Sequence, residues 1–161
     1  MWKNLGFLIA VLVASRFIGL PGNFTPLLAL AVFMPRLTED KRLQYLLPVG
    51  IIALTNLFLE PVNAIILATM LIVFAVTPTI SRHTKSLFWG SVSAIGIWHV
   101  AVNGSVWLVS GGPLLDTYVA AIPFDFKLAV STGLYVALFH YAENIYKLVS
   151  GANSKILDRL V

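Results

Sequence analysis

The chain has 161 residues and a formal net charge of +4; 58% of its residues are hydrophobic, 11% are charged, and the mean hydropathy is +0.88. Soluble domains average about 45–50% apolar residues and carry a polar shell, so this composition excludes a water-soluble protein and indicates lipid surroundings. The sequence has no cysteine, which excludes disulfides and thiolate metal sites, and its basic residues lie in short loops, where membrane topology explains them better than nucleic-acid binding.

Six apolar runs follow one another along the chain, and we predict a helix for each, since about 20 apolar residues cross a bilayer as a helix. The sequence therefore predicts an all-α, polytopic membrane helix bundle with about six transmembrane helices. Residues 1–150 form a single transmembrane domain, and residues 151–161 form a short cytoplasmic tail, either an interfacial helix or a frayed end. The runs are Leu5–Leu20, Phe24–Pro35, Leu43–Leu59, Val62–Ile80, Ser86–Ser110 and Phe126–Ser150.

The first run contains Gly6, Ala10 and Ala14, which recur every four residues and line one face of the helix. Such a stripe lets another backbone approach closely, either within the bundle or on a partner protein.

Arg16 follows near the outer end of this run, and an arginine in a span needs water, a carboxylate or a ligand anion. It either snorkels to the interface or turns inward. The inward partners are a substrate anion or the carboxylate of Glu60, Asp116 or Asp125.

The second run is too short to cross the membrane alone at about 1.5 Å per residue. We expect it to be tilted, partly unwound or shielded from lipid by its neighbours. Asn23 and Thr25 lie at its start, where they either cap the helix or leave backbone groups for a ligand. Asn56 and Glu60, four residues apart at the end of the third run, share a face and either line an outer cavity or meet the headgroups.

The fifth run contains His99, Asn103 and Trp107 at four-residue spacing, so one helix face is both polar and aromatic. Buried polar groups in lipid need partners, which leaves a helix-to-helix hydrogen bond or a ligand contact. The three histidines of the chain lack metal-ligand spacing, and no catalytic motif is present. We therefore expect no metal, no cofactor and no enzymatic activity.

The basic residues predict the orientation, because cytoplasmic loops of membrane proteins are enriched in lysine and arginine. With the N- and C-termini in the cytoplasm, the opposite side keeps Lys127 and Arg16, which lie near the outer ends of their predicted helices. The outer loops include the stretch from Gly111 to Asp125. The residues then placed on the cytoplasmic side are Lys3, Arg36, Lys41, Arg42, Arg82, Lys85, Lys147, Lys155 and Arg159.

Two strings of the sequence carry a resemblance over nearly the whole chain: Asn23-Phe24-Thr25-Pro26, and Tyr118-Val119-Ala120-Ala121-Ile122-Pro123-Phe124. With these strings the chain resembles an uncharacterised bacterial family of small six-span membrane proteins. That family is itself similar to the substrate-binding S components of energy-coupling-factor vitamin transporters.

The resemblance implies a vitamin-like small-molecule binding subunit in the bacterial inner membrane. Its first helix, with Gly6, Ala10 and Ala14, is expected to dock onto a transmembrane coupling subunit driven by ATPases. The alternative is a small structural or assembly subunit of a larger membrane complex, with no ligand of its own. The expected ligand-binding residues of the outer face are Arg16, Asn23, Thr25, Asn56, Glu60, His99, Asn103, Trp107 and Tyr118.

Overall fold

The structure is a computed structural model that describes residue 10 and residues 12–17, 24–59 and 61–157, with side chains described to residue 145. This part of the chain is all-α, as predicted, and contains six helices. The first, α1, is described at residues 12–15. The others are α2 (Leu27–Leu37), α3 (Lys41–Asn56), α4 (Ala64–Thr84), α5 (Leu87–Ser110) and α6 (Leu114–Leu157).

Helix α2 forms the centre of the bundle. Each residue from Leu27 to Met34 is no more than 1% exposed, and the helix contacts α3, α4, α5 and α6. A helix that is apolar on all sides belongs in an interior, and the 11 residues of α2 span only about 16 Å of the roughly 30 Å hydrocarbon core. Of the three fates predicted for the second run, shielding by neighbouring helices is the one that the structure shows.

In the part of the chain that the structure describes, three helices are long and apolar enough to cross a membrane: α4, α5 and the part of α6 from Leu114 to Ile145. Their outward surfaces carry large apolar side chains such as Ile72, Phe88 and Val100, each more than 60% exposed. Exposed apolar surface of this kind is rare on soluble monomers. These candidate spans indicate a membrane protein.

The loop predicted from Gly111 to Asp125 is wrong. The turn contains only Gly111, Gly112 and Pro113, and α6 begins at Leu114. Both glycines have positive φ, 71° and 89°, a conformation that L-residues with a side chain rarely adopt. Asp125 and Pro123, which resemble loop residues in the sequence, lie inside the helix, where a neighbouring helix provides the donors that the carboxylate needs.

Lys127 lies within α6, in the part predicted as helical, with its Nζ 5.6 Å from the centre of the Phe124 ring. Beyond residue 150, where the sequence analysis expected an interfacial helix or a frayed end, α6 continues without a break to Leu157.

The basic residues between helices gather at one end of the bundle. Arg82 Nη2, near the end of α4, donates to Gln44 Oε1 at 2.6 Å, and Gln44 Nε2 donates to the Thr38 carbonyl oxygen at 2.6 Å. These bonds join the end of α4 to the loop between α2 and α3. Arg36, Lys41, Arg42 and Lys85 neighbour these residues in the chain, so the clustering that the sequence predicted is present. Which side of the membrane this end faces remains a prediction.

Candidate functional site

A small cavity lies where α1 ends and α2 begins. It encloses about 50 Å³ and is partly open to the outside of the bundle. Arg16 and Thr25 supply its polar wall, and six apolar or aromatic side chains from five helices supply the rest. We call it the Arg16 cavity, and its lining residues are Arg16, Thr25, Leu27, Ile52, Met70, Phe74, Trp98 and Leu128.

Arg16 lies in the turn that ends α1, where backbone hydrogen bonds from Arg16 N to Val13 O and from Phe17 N to Ala14 O close the helix. Its Nη2 donates to Asn56 Oδ1 at 3.0 Å. Arg16 Nε and Asn56 Nδ2 are both buried and have no hydrogen-bond partner among the described residues. Two buried donor groups, an N–H and an NH₂, and one positive charge therefore lie at the cavity.

Among the described residues, the partner of Arg16 is Asn56. For an inward-turned side chain we predicted a substrate anion or the carboxylate of Glu60, Asp116 or Asp125. Asp116 and Asp125 form no ion pair with Arg16, whereas Glu60 lies outside the described residues. The Asp125 carboxylate instead accepts hydrogen bonds from side chains of α5. Asn56, which the sequence analysis placed on the same outer surface, accepts the hydrogen bond.

Thr25 precedes Pro26, the N-cap of α2, and joins this end of α2 to α6. Its Oγ1 accepts from Leu27 N at 3.4 Å, and its carbonyl oxygen accepts from Ser131 Oγ at 2.7 Å. Ser131 and the next residue, Thr132, are fully buried, and Thr132 Oγ1 has no hydrogen-bond partner among the described residues. The Thr25 side chain therefore bonds to the first turn of α2, and the residue also lines the cavity.

A second polar group connects α5 and α6, and we call it the His99 cluster: His99, Asn103 and Asp125. Asp125 Oδ2 accepts from His99 Nδ1 at 2.7 Å and from Asn103 Nδ2 at 2.6 Å. Asn103 and Asp125 are less than 10% exposed, whereas His99 is about one-third exposed. The helix-to-helix hydrogen bond is thus the interpretation of His99 and Asn103 that the structure shows.

Tyr118 and Trp107 each donate a side-chain hydrogen bond to a backbone carbonyl oxygen. The Tyr118 hydroxyl donates to the Val100 carbonyl oxygen at 2.8 Å, and its ring packs edge-on against His99 at 5.3 Å between centroids. Trp107 Nε1 donates to the Gly112 carbonyl oxygen at 3.0 Å. Both side chains hold the α5–α6 hairpin together at the end of the bundle opposite the basic loops.

The predicted ligand residues therefore separate into two groups. Arg16, Thr25 and Asn56 meet at the cavity, whereas His99, Asn103 and Tyr118 meet at the α5–α6 interface. Trp98, which lines the cavity, is the residue before His99 in α5. Asn23, like Glu60, lies outside the described residues.

The sequence analysis did not identify Asp125 as a partner of His99, because it placed Asp125 in a loop. It also missed the apolar cavity wall, since Ile52, Met70 and Leu128 are indistinguishable in the sequence from other core residues. Among the residues that the structure describes, no three His, Asp or Glu side chains gather as metal ligands would.

The structure describes two of the three small residues that form the predicted stripe on the first helix. Ala10 and Ala14 are exposed on the outside of the bundle, and Gly6 lies outside the described residues. Internal packing of the two alanines is therefore not what the structure shows. The stripe is available to lipid or to another protein.

Fold and site together define a polytopic membrane helix bundle with a small cavity that contains an arginine. The model of a family of unknown function, DUF6580, matches residues 1–152, and the chain belongs to this family. No curated protein and no solved structure matches it.

Proposed function

We propose that this protein is a membrane-embedded binding subunit for a small molecule. The observation that carries the proposal is the Arg16 cavity, in which one charged side chain stands among mostly apolar and aromatic walls. Small-molecule sites have this composition: apolar walls bury the ligand, and a few polar groups fix its orientation. A charged side chain such as that of arginine is also costly to keep inside a membrane bundle, so a purely space-filling interior would not favour it.

The size of the cavity limits what it holds in this conformation. At about 50 Å³ it is well below the roughly 300–1,000 Å³ of typical ligand pockets, and it holds about three waters or one small polar group. Because the cavity is partly open, the polar head of a solute can enter it while the remainder stays outside. Complete burial of a vitamin-sized solute requires a larger cavity than this conformation has.

The second part of the proposal is that α1 docks onto a transmembrane coupling subunit driven by ATPases, in the bacterial inner membrane. The resemblance to S components supplies this idea, and the exposure of Ala10 and Ala14 supports it. Small residues on an outward helix face let a partner helix approach closely. The gathering of the basic loops at one end supports an orientation with that end in the cytoplasm.

Binding is tested with purified protein in detergent, by native mass spectrometry and thermal-shift screening against vitamins and metabolites. A solute that raises the melting temperature of the wild-type protein and not that of Arg16→Gln supports the proposal. Arg36→Gln is the matched control, since Arg36 is exposed at the opposite end. If no solute binds, the binding function is wrong.

Docking is tested with Ala14→Trp, which adds bulk to the outward face of α1. We expect cells carrying this variant to lose solute uptake, while the purified variant binds the solute as the wild type does. Ala137→Trp, at an exposed position of α6, is the control and should leave uptake unchanged. Equal uptake by both variants would contradict a docking role for the stripe.

A second candidate function, a structural subunit of a larger complex, is favoured by the filled centre of the bundle. Helix α2 packs there with side chains that are almost completely buried, which leaves little interior volume for a solute. This function predicts co-purification with a fixed set of membrane proteins and no response to any solute. The screen described above separates the two.

A further inference from the structure

We propose that the Arg16 cavity binds an oxyanion, which accepts hydrogen bonds from Arg16 Nε and Asn56 Nδ2. This inference rests on the proposed binding function and names the chemical class of its ligand. It starts from an imbalance between donors and acceptors. Arg16 and Asn56 exchange one hydrogen bond, and each keeps a buried N–H group with no acceptor from the described residues.

The positive charge of Arg16 also lacks a partner among the described carboxylates. The guanidinium group remains protonated in proteins, and none of the carboxylates that the structure describes forms an ion pair with it. The cavity walls beside it are Thr25 and apolar or aromatic side chains. Buried charges in proteins are paired, so the electrostatic environment of Arg16 favours a ligand that brings its own negative charge.

Geometry narrows the class of anion. The guanidinium group presents planar N–H donors that match the oxygens of a carboxylate or a phosphate, and Asn56 adds an amide donor next to it. Water would satisfy the same donors, and the cavity has room for about three molecules, but water leaves the charge unpaired. An oxyanion satisfies both the donors and the charge.

Such an oxyanion belongs either to the carboxylate of a free solute or to the phosphate of a lipid headgroup, because the cavity opens near the end of α1. The test therefore uses full-length protein in dodecyl maltoside with two probes. Sodium acetate represents the carboxylate, with acetamide as its neutral isostere and sodium chloride to equalise ionic strength. Dioleoyl-phosphatidylglycerol represents the lipid and is followed by native mass spectrometry.

We expect acetate, and not acetamide, to raise the melting temperature of the wild-type protein. Arg16→Gln should weaken acetate binding by about tenfold or more, the loss expected for one charge-assisted hydrogen bond. Arg16→Lys should retain part of the response because it keeps the charge, and Arg36→Gln should retain all of it. If the lipid adduct and not acetate depends on Arg16, the oxyanion is a headgroup phosphate.

A variant that needs no added probe provides an independent test. Asn56→Asp places a carboxylate where Arg16 Nη2 already donates. If Arg16 lacks an anion, this change should raise the melting temperature without any ligand and abolish the response to acetate. Asn63→Asp, which adds a carboxylate at the exposed N-cap of α4, is the control: any stabilisation there comes from the helix cap, and the response to acetate should remain.

Several results would overturn the proposal: equal stabilisation by acetate and acetamide, acetate or lipid binding that survives Arg16→Gln, or an Asn56→Asp variant less stable than the wild type. If water alone occupies the cavity, neither acetate nor the lipid should give a response that depends on Arg16, and the proposal is overturned. A neutral solute found by screening would then leave the binding function intact. Conversely, if Asn56→Asp is stabilised and no solute binds, the binding function fails and the need of Arg16 for an anion stands.

Discussion

Asp125 Oδ2 lies 2.7 Å from His99 Nδ1 across the interface of α5 and α6. The carboxylate accepts a second hydrogen bond, from Asn103 at 2.6 Å, so one buried oxygen joins two turns of α5 to α6. A carboxylate between apolar helices needs such donors, because neither lipid nor core side chains solvate it. The bond from Nδ1 also sets the orientation of the His99 imidazole.

Asp125→Asn should destabilise the protein by about 1–3 kcal/mol, since a neutral amide accepts these hydrogen bonds more weakly and brings an N–H₂ group into the same space. Thermal unfolding in detergent measures the effect as a lower melting temperature. Asp116→Asn, in the exposed first turn of α6, should melt like the wild type. Equal melting of both variants would mean that the His99 cluster contributes nothing to stability.

Gly90→Leu should separate α4 from α5. A Cβ atom at Gly90 would lie 3.3 Å from the Ser81 backbone and 3.1 Å from its hydroxyl, and Ser81 itself donates to the Val32 carbonyl oxygen of α2. Overpacking of this kind typically costs about 1–3 kcal/mol.

Gly96→Leu is the matched control for Gly90→Leu, because nothing lies within 4 Å of a Cβ at Gly96, and leucine favours helices more than glycine does. We expect the control variant to melt at or above the wild-type temperature. A Gly90→Leu variant as stable as Gly96→Leu would contradict the close approach of the two helices.

Leu128→Phe should fill the Arg16 cavity from the α6 side. Leu128 lines the cavity and is 3% exposed, so the larger ring has free volume to enter, and we expect a melting temperature close to that of the wild type. The response to acetate should be lost. Leu134→Phe, on the exposed side of α6, is the control and should keep the response. Acetate binding that persists in Leu128→Phe would place the anion elsewhere.

The orientation is measurable by cysteine labelling, because the sequence contains no cysteine and each introduced thiol is the only one. Glu39→Cys marks the basic end of the bundle, and Ser110→Cys marks the opposite end; both positions are exposed. In intact cells, a membrane-impermeant maleimide should label only the Ser110 variant. Labelling of only the Glu39 variant would invert the orientation.

Helices α4 and α5 show how well local signals work where the apolar pattern is unbroken. Their predicted starts, Val62 and Ser86, lie within two residues of the observed ones, because Asn63 and Ser86 cap the helices through their side chains. The start of α6 was misplaced by twelve residues, from Leu114 to Phe126. The error has a physical cause. Asp116, Pro123 and Asp125 are typical of loops, and the hydrogen-bond donors of α5 that accommodate the Asp125 carboxylate are known only from the structure.

The candidate site was only partly predictable for a related reason. The sequence indicated that Arg16 needs a partner, but it did not distinguish Asn56 from the three carboxylates considered. Charge favoured a carboxylate as the partner. The structure shows a hydrogen bond from Arg16 to Asn56 of α3 and no ion pair between Arg16 and a described carboxylate, and this arrangement is the basis of the oxyanion proposal.

By itself, the sequence determined the helical class, the membrane surroundings and the clustering of basic loops. These follow from composition and from the rule that backbone polar groups in lipid are satisfied within each segment. Only the tertiary structure decided that α2 lies at the centre and that Arg16 meets Asn56 and His99 meets Asp125, pairs 40 and 26 residues apart. Helix formation in lipid is local, whereas these contacts depend on how all the helices pack together.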